Sequence, residues 1–76
     1  MSTLRSLITI TEEGEAIGTL RQFAHGLNLP LAALRRALVT EIEDCVIFRA
    51  GTGPDRLLIL DTCGLPSLLH LAQTSR

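Results

Sequence analysis

A chain of 76 residues with 46% apolar content and only two aromatic residues, Phe23 and Phe48, has room for one small core built from Leu, Ile, Val and Ala, and is too apolar for a disordered segment. Its net charge is −1 and its seven basic residues are all arginine, which argues against a strong nonspecific polyanion binder while allowing a local basic cluster. No stretch reads as a signal peptide or reaches membrane length, so a cytoplasmic protein without membrane insertion is expected.

Leu4, Leu7, Ile8 and Thr11 fall at helical spacing and predict a first helix over residues 3–12, although "LITIT" is rich in β-branched residues that favour strand. "EEGE" at 12–15 breaks the pattern as a solvated turn, with Gly14 suited to positive φ. "AIG" at 16–18 is long enough only for a bridging strand. Thr19 then suits a helix N-cap, its hydroxyl accepting a free backbone N–H. Leu20, Phe23, Ala24 and Leu27 repeat at i, i+3, i+4 and i+7 and give one buried face.

Asn28 tolerates the left-handed conformation of a tight interhelix turn, and Pro30 fits the first turn of a helix over 30–41. Leu31, Leu34, Ala37, Leu38 and Ile42 supply that helix's apolar side. From Cys45 the period changes. "CVIFRA" and "RLLIL" read as strands flanking the loop "GTGPD", and pairing Phe48 with Leu57 would leave Arg49 and Arg56 near the tip. A C-terminal helix over 65–74, begun by Pro66, sets Leu65, Leu68, Leu69 and Ala72 on one face. That face reads either as a cap on the core or as a homodimer seam.

Cys45 and Cys63 form no zinc-ligand spacing with His25 or His70, so two buried reduced thiols are expected, with no metal. Both histidines sit beside apolar residues on helices and read as structural or merely exposed. "GTG" lacks the ending and the following helix of a phosphate loop. No spacing links a nucleophile to a base and an orienting group, so neither an enzyme nor a cofactor is expected.

The order helix, short strand, helix, turn, helix, hairpin, helix, with "FAHGLNLPLAALRRAL" at its centre, resembles the winged helix-turn-helix superfamily over roughly residues 3–61. Ala24 holds the place of the small residue that packs such helices closely. Asn28 stands where Gly is usual, and Phe23, Leu27, Leu29, Leu34 and Leu38 are the apolar anchors. The resemblance implies one α+β domain over 1–76, with three helices, a two-stranded β-hairpin wing and a C-terminal helix. Its parts would be the helix-turn-helix at 19–42, the wing at 45–61 and the final helix at 65–74.

It further implies a small bacterial or phage transcription regulator, acting as a homodimer on double-stranded DNA. The 30–41 helix would enter the major groove and the wing would lie on flanking backbone. The implied DNA contacts are Arg21, Leu31, Ala32, Arg35 and Arg36, with Arg49 and Arg56 on the wing. Arginine's planar fork can bind guanine O6 and N7, or clamp a phosphate. Against this, the first turn offers only Leu31, Ala32 and Ala33, and the far end is acidic at Glu41, Glu43 and Asp44. Arg35 and Arg36 also suit a solvated helix face, and wing arginines also deter edge aggregation.

The alternative is a winged-helix protein-interaction module, an accessory subunit or a phage-type inhibitor of a host protein, that binds no DNA. Small winged-helix accessory proteins of ferrous iron transport have similar length and layout. Those with a cysteine-rich wing differ from this chain, whose wing loop has no Cys.

Overall fold

The computed structural model describes residues 4–74, which form an α+β fold. The elements in chain order are α1 (Leu4–Leu7), β1 (Thr9–Ile10), β2 (Ala16–Thr19), α2 (Leu20–Leu27), α3 (Leu31–Thr40), β3 (Val46–Ala50), β4 (Leu57–Leu60) and α4 (Gly64–Thr74). The first helix expected over 3–12 is cut to a single turn, and residue 3 lies outside the described residues. The β-branched run after Leu7 leaves the helix, and Thr9–Ile10 becomes a strand, the chain reversing through Gly14 at φ 92° to pair with β2.

The two strands expected from the hairpin belong to a larger sheet. It is antiparallel, with four strands in the order β1-β2-β4-β3. β2 pairs with β4 along its whole length, so β4 is central rather than half of an isolated wing. Small residues on β2 face large ones on β4, Ala16 opposite Leu60 and Gly18 opposite Leu58. Leu58 and Leu60 are fully buried, so this inner face forms the floor of the core. Leu20, Phe23, Leu34, Leu38, Ile42 and Leu68 cover it from the helices.

α2 and the turn that joins it to α3 are set by local chemistry at both ends of α2. Thr19 Oγ1 accepts the Gln22 N–H at 3.1 Å and Gln22 Oε1 accepts the Thr19 N–H at 2.9 Å, a reciprocal capping box. Thr19→Ala should therefore lower the unfolding free energy by about 1 kcal/mol in urea titrations. At the other end Asn28 takes φ 56° and donates its N–H to His25 O, while the Leu29 N–H reaches Ala24 O at 2.9 Å. Together these close a Schellman-type stop that turns the chain into α3. Pro30 precedes α3 as its N-cap instead of occupying its first turn, and α3 starts at Leu31.

The hairpin register differs from the expected Phe48–Leu57 pair. Ala50 faces Leu57, Arg49 faces Leu58 and Phe48 faces Ile59, with a bulge between Val46 and Phe48. Because side chains alternate in a strand, the extra residue at Ile47 reverses the sides that Phe48 and Arg49 would otherwise take. Phe48 is turned outward and is 48% exposed, whereas Arg49 shares the side of buried Leu58.

Cys45 and Cys63 are not the buried reduced thiols expected. They form a disulfide across a Cα–Cα distance of 5.7 Å, with Cys45 half-buried and Cys63 exposed. The register explains why they meet. Val46 faces Leu60 at the open end of the hairpin, and the Asp61 N–H reaches Cys45 O at 2.6 Å just beyond it. The bridge thus closes the base of the hairpin and ties it to the start of α4.

α4 begins at Gly64 and packs on the chain's own core. Leu68 and Ala72 are buried there, and Leu65 is half-buried against the same cluster. Of the four residues expected on a shared dimer face, only Leu69 is exposed. No helix among the described residues is long and apolar enough to cross a membrane.

Candidate nucleic-acid interface

α3 and the hairpin face each other across a groove of about 300 Å³ lined by Arg35, Leu38, Val39, Arg49, Gly53 and Arg56. Each arginine arrives for a local reason. Arg35 and Val39 are one helical turn apart on the exposed side of α3, while Leu34 and Leu38 point into the core. Arg49 reaches the groove because the Ile47 bulge turns it toward the helix. Its Nη2 donates to Leu38 O at 2.8 Å, satisfying one of the last-turn carbonyls that the helix itself leaves unpaired. Arg49 therefore fastens the hairpin to the C-terminal turn of α3, and its remaining guanidinium donors stay available to a ligand.

Arg56 closes the 3-10 turn at Gly53–Asp55, its N–H reaching Gly53 O at 3.2 Å and its own carbonyl accepting the Leu20 N–H at 2.8 Å. These two bonds anchor the residue between the hairpin loop and the start of α2. Its Nε is sealed from solvent and has no hydrogen-bond partner among the described residues. A buried donor left in that state costs about 1–3 kcal/mol. No acidic residue lines the groove, and three of its lining residues are arginine.

The other sequence-predicted contacts lie elsewhere. Arg36 is exposed on α3, and its carbonyl accepts the Thr40 hydroxyl at 2.7 Å. Arg21 lies early on α2 and makes an exposed ion pair with Asp55, Nε to Oδ1 at 3.8 Å. Such a pair adds little stability and exchanges readily for another anion. Ala32 is exposed as expected. Leu31, expected to face DNA, is half-buried against the core, because the helix places it one turn from buried Leu34. The acidic residues Glu41, Glu43 and Asp44 are all exposed beyond the C-terminal end of α3.

The sequence places Arg49 and Arg56 near a hairpin tip, and the resemblance sets them with Arg35 against one duplex, but neither brings the three into one groove. That union depends on the bulge, which no residue type in "CVIFRA" announces. Gln22 was also passed over, although Thr19-x-x-Gln22 is a capping-box pattern in its own right. Neither the family models, the curated proteins nor the solved structures include a match to this chain.

Proposed function

We propose that this protein is a small DNA-binding transcription regulator of winged helix-turn-helix type, with α3 in the major groove and the hairpin on flanking backbone. One observation carries the reading: Arg35 from the helix and Arg49 and Arg56 from the hairpin line a single groove that contains no acid. That groove joins the two elements such a regulator would lay on one duplex. Arg36 adds a charge on the exposed side of α3, and Arg21 can leave Asp55 for a phosphate. With Leu31 turned toward the core, the first turn of α3 offers mainly Ala32 to a base edge. Sequence reading would then fall to Arg35 and Arg36, and phosphate contacts to the hairpin. A homodimer and a cytoplasmic location complete the proposal. Leu69 remains on the surface of α4 for a dimer contact, whereas the disulfide is unusual for a reducing compartment.

The test is a fluorescence-anisotropy titration with a short duplex over a range of salt. Replacing both Arg35 and Arg36 with Ala should weaken binding and make the plot of log K against log salt shallower by about two units if each arginine neutralises one phosphate. Unchanged affinity and slope would remove α3 from the interface.

A second reading rests on the opposite face of the sheet. Ile17, Ile59 and Phe48 form one cross-strand row there, and edge strand β3 also exposes Ile47. An apolar row ending at an open edge suits a protein partner. This reading makes the chain an interaction module, and it predicts no affinity for bulk duplex even at low salt.

A further inference from the structure

We propose that the Cys45–Cys63 bridge is a reversible redox switch, opened by a low-molecular-weight thiol at Cys63, that sets how firmly β3 and its Arg49 are held. Cys63 is exposed and Cys45 is half-buried, so an attacking thiol meets the Cys63 sulfur without prior unfolding. The incoming thiolate forms a bond to Cys63 Sγ, and the Cys63–Cys45 bond breaks with its electron pair leaving on Cys45 Sγ. A second thiolate attacks the outer sulfur of that mixed disulfide and releases Cys63 Sγ. The bridge gains two electrons, two thiol molecules become one disulfide, and the two protons they lose end on the cysteines. The low-molecular-weight disulfide drives the same steps backwards. A bridge that opens and closes in this way fits the cytoplasmic location proposed above, where disulfides are usually transient or redox-sensing.

The backbone around each cysteine is hydrogen-bonded independently of the bridge. The Cys45 N–H reaches Ile42 O at 2.8 Å, and Cys45 O accepts the Asp61 N–H at 2.6 Å. Cys63 O accepts the Ser67 N–H at 3.3 Å, and the Gly64 N–H reaches Asp61 O at 2.8 Å. The two thiols of the reduced protein therefore stay near each other, and closing the bridge again is an intramolecular step. The two ends differ in what else holds them. Gly64 is buried so closely on Leu60 that a Cβ there would come within 2.6 Å of Leu60 Cβ, and Leu68 anchors the next turn in the core. β3 lies at the end of the sheet, paired with β4, and none of its five residues is buried. The bridge thus clamps a lightly packed strand to a closely packed helix, and opening it releases β3 first. The bulge that turns Arg49 toward α3 begins at Val46, next to Cys45, so the released segment is the one that aims Arg49. The switch stands without the duplex-binding reading, and only its effect on duplex affinity rests on that reading.

The experiment equilibrates the intact protein with reduced and oxidised glutathione in graded ratios, without denaturant. Alkylation and mass spectrometry count free thiols, and heteronuclear NMR follows the backbone amides. The bridge should open with the amides of Phe23, Leu34 and Leu68 in place and those of Phe48, Arg49 and Ala50 shifted, and oxidised glutathione should restore the starting spectrum. Cys45→Ser, which leaves Cys63, should take up glutathione about tenfold faster than Cys63→Ser, which leaves Cys45. Duplex affinity should fall about tenfold on reduction, the lower end for one lost charged hydrogen bond. Opening only in denaturant, or with loss of the whole fold, would overturn the switch and make the bridge a structural staple. Cys45 reacting as fast as Cys63 would overturn it as well. An open bridge with unmoved β3 amides and duplex still bound would overturn the switch and leave the duplex reading standing. Shifted β3 amides with no duplex binding in either state would support the switch and overturn the duplex reading.

Discussion

Reducing the Cys45–Cys63 disulfide should lower the stability of the fold by about 3 kcal/mol, the chain-entropy value for a bridge across an 18-residue separation. For a domain of this size that corresponds to a fall in melting temperature on the order of 10–20 °C. The effect has a structural address. The bridge lies just beyond the Val46–Leu60 pair, so its loss frees the base of the hairpin and the start of α4 together. Thermal unfolding with and without reductant measures the loss. A variant with both cysteines changed to Ser should melt at the reduced temperature and ignore reductant. Equal melting temperatures for the oxidised and reduced protein would show that the hairpin and α4 are held by packing alone. Duplex affinity gives a second readout, because Arg49 and Arg56 both lie on the hairpin that the bridge closes.

Phe23→Ala should be the most damaging single core substitution, at about 3–5 kcal/mol. Phe23 is fully buried beneath the helices and is the largest side chain in the core. A 76-residue domain has a total stability of roughly 4–11 kcal/mol, so this one change removes a large part of it. Phe48→Ala should in contrast change stability by only about 0.5 kcal/mol, because its ring faces outward. Urea unfolding of the two variants checks both values. Similar midpoints for the two would contradict the register, since Phe48 would then have to share the core with Phe23.

The contrast between the two phenylalanines shows where the sequence was legible. Around Phe23 the signals are local and agree with one another. Thr19 caps, a four-residue apolar face follows, and Asn28 supplies the turn, so α2 and the turn after it lie where the pattern put them. Around Phe48 the outcome depends on a partner strand. A bulge at Ile47 costs one extra residue and leaves no mark in composition, yet it decides which of Phe48 and Arg49 faces the helices. The sheet was underestimated for the same reason. "AIGT" is too short to announce itself, and it becomes a full strand by pairing all four residues with β4, while the missing side chain at Gly18 leaves room for Ile8.

Part of the candidate site was legible too. Arg35 on the outer side of its helix and Arg49 and Arg56 on the hairpin follow from spacing and turn chemistry. Their convergence on one groove does not, because it combines the bulge, the Arg49–Leu38 bond and the 3-10 turn before Arg56. The cysteines show the same limit. Two cysteines 18 positions apart carry no local sign of pairing, and it is the strand register that brings them to bonding distance. The C-terminal helix reverses the case. Its apolar face was plain in the sequence, but whether it covers its own core or a second copy is a tertiary question. Leu68 and Ala72 lie in the chain's own core.

The most direct test of the duplex-binding proposal is titration of the unmodified protein with bulk duplex DNA, from low salt upward. Binding that is measurable at low salt and whose log K falls linearly with log salt is the predicted result, because the arginine groove would neutralise phosphates and release their counterions. No binding at the lowest salt, where nonspecific phosphate contacts are strongest, would contradict it and turn attention to the apolar row of Ile17, Ile59 and Phe48.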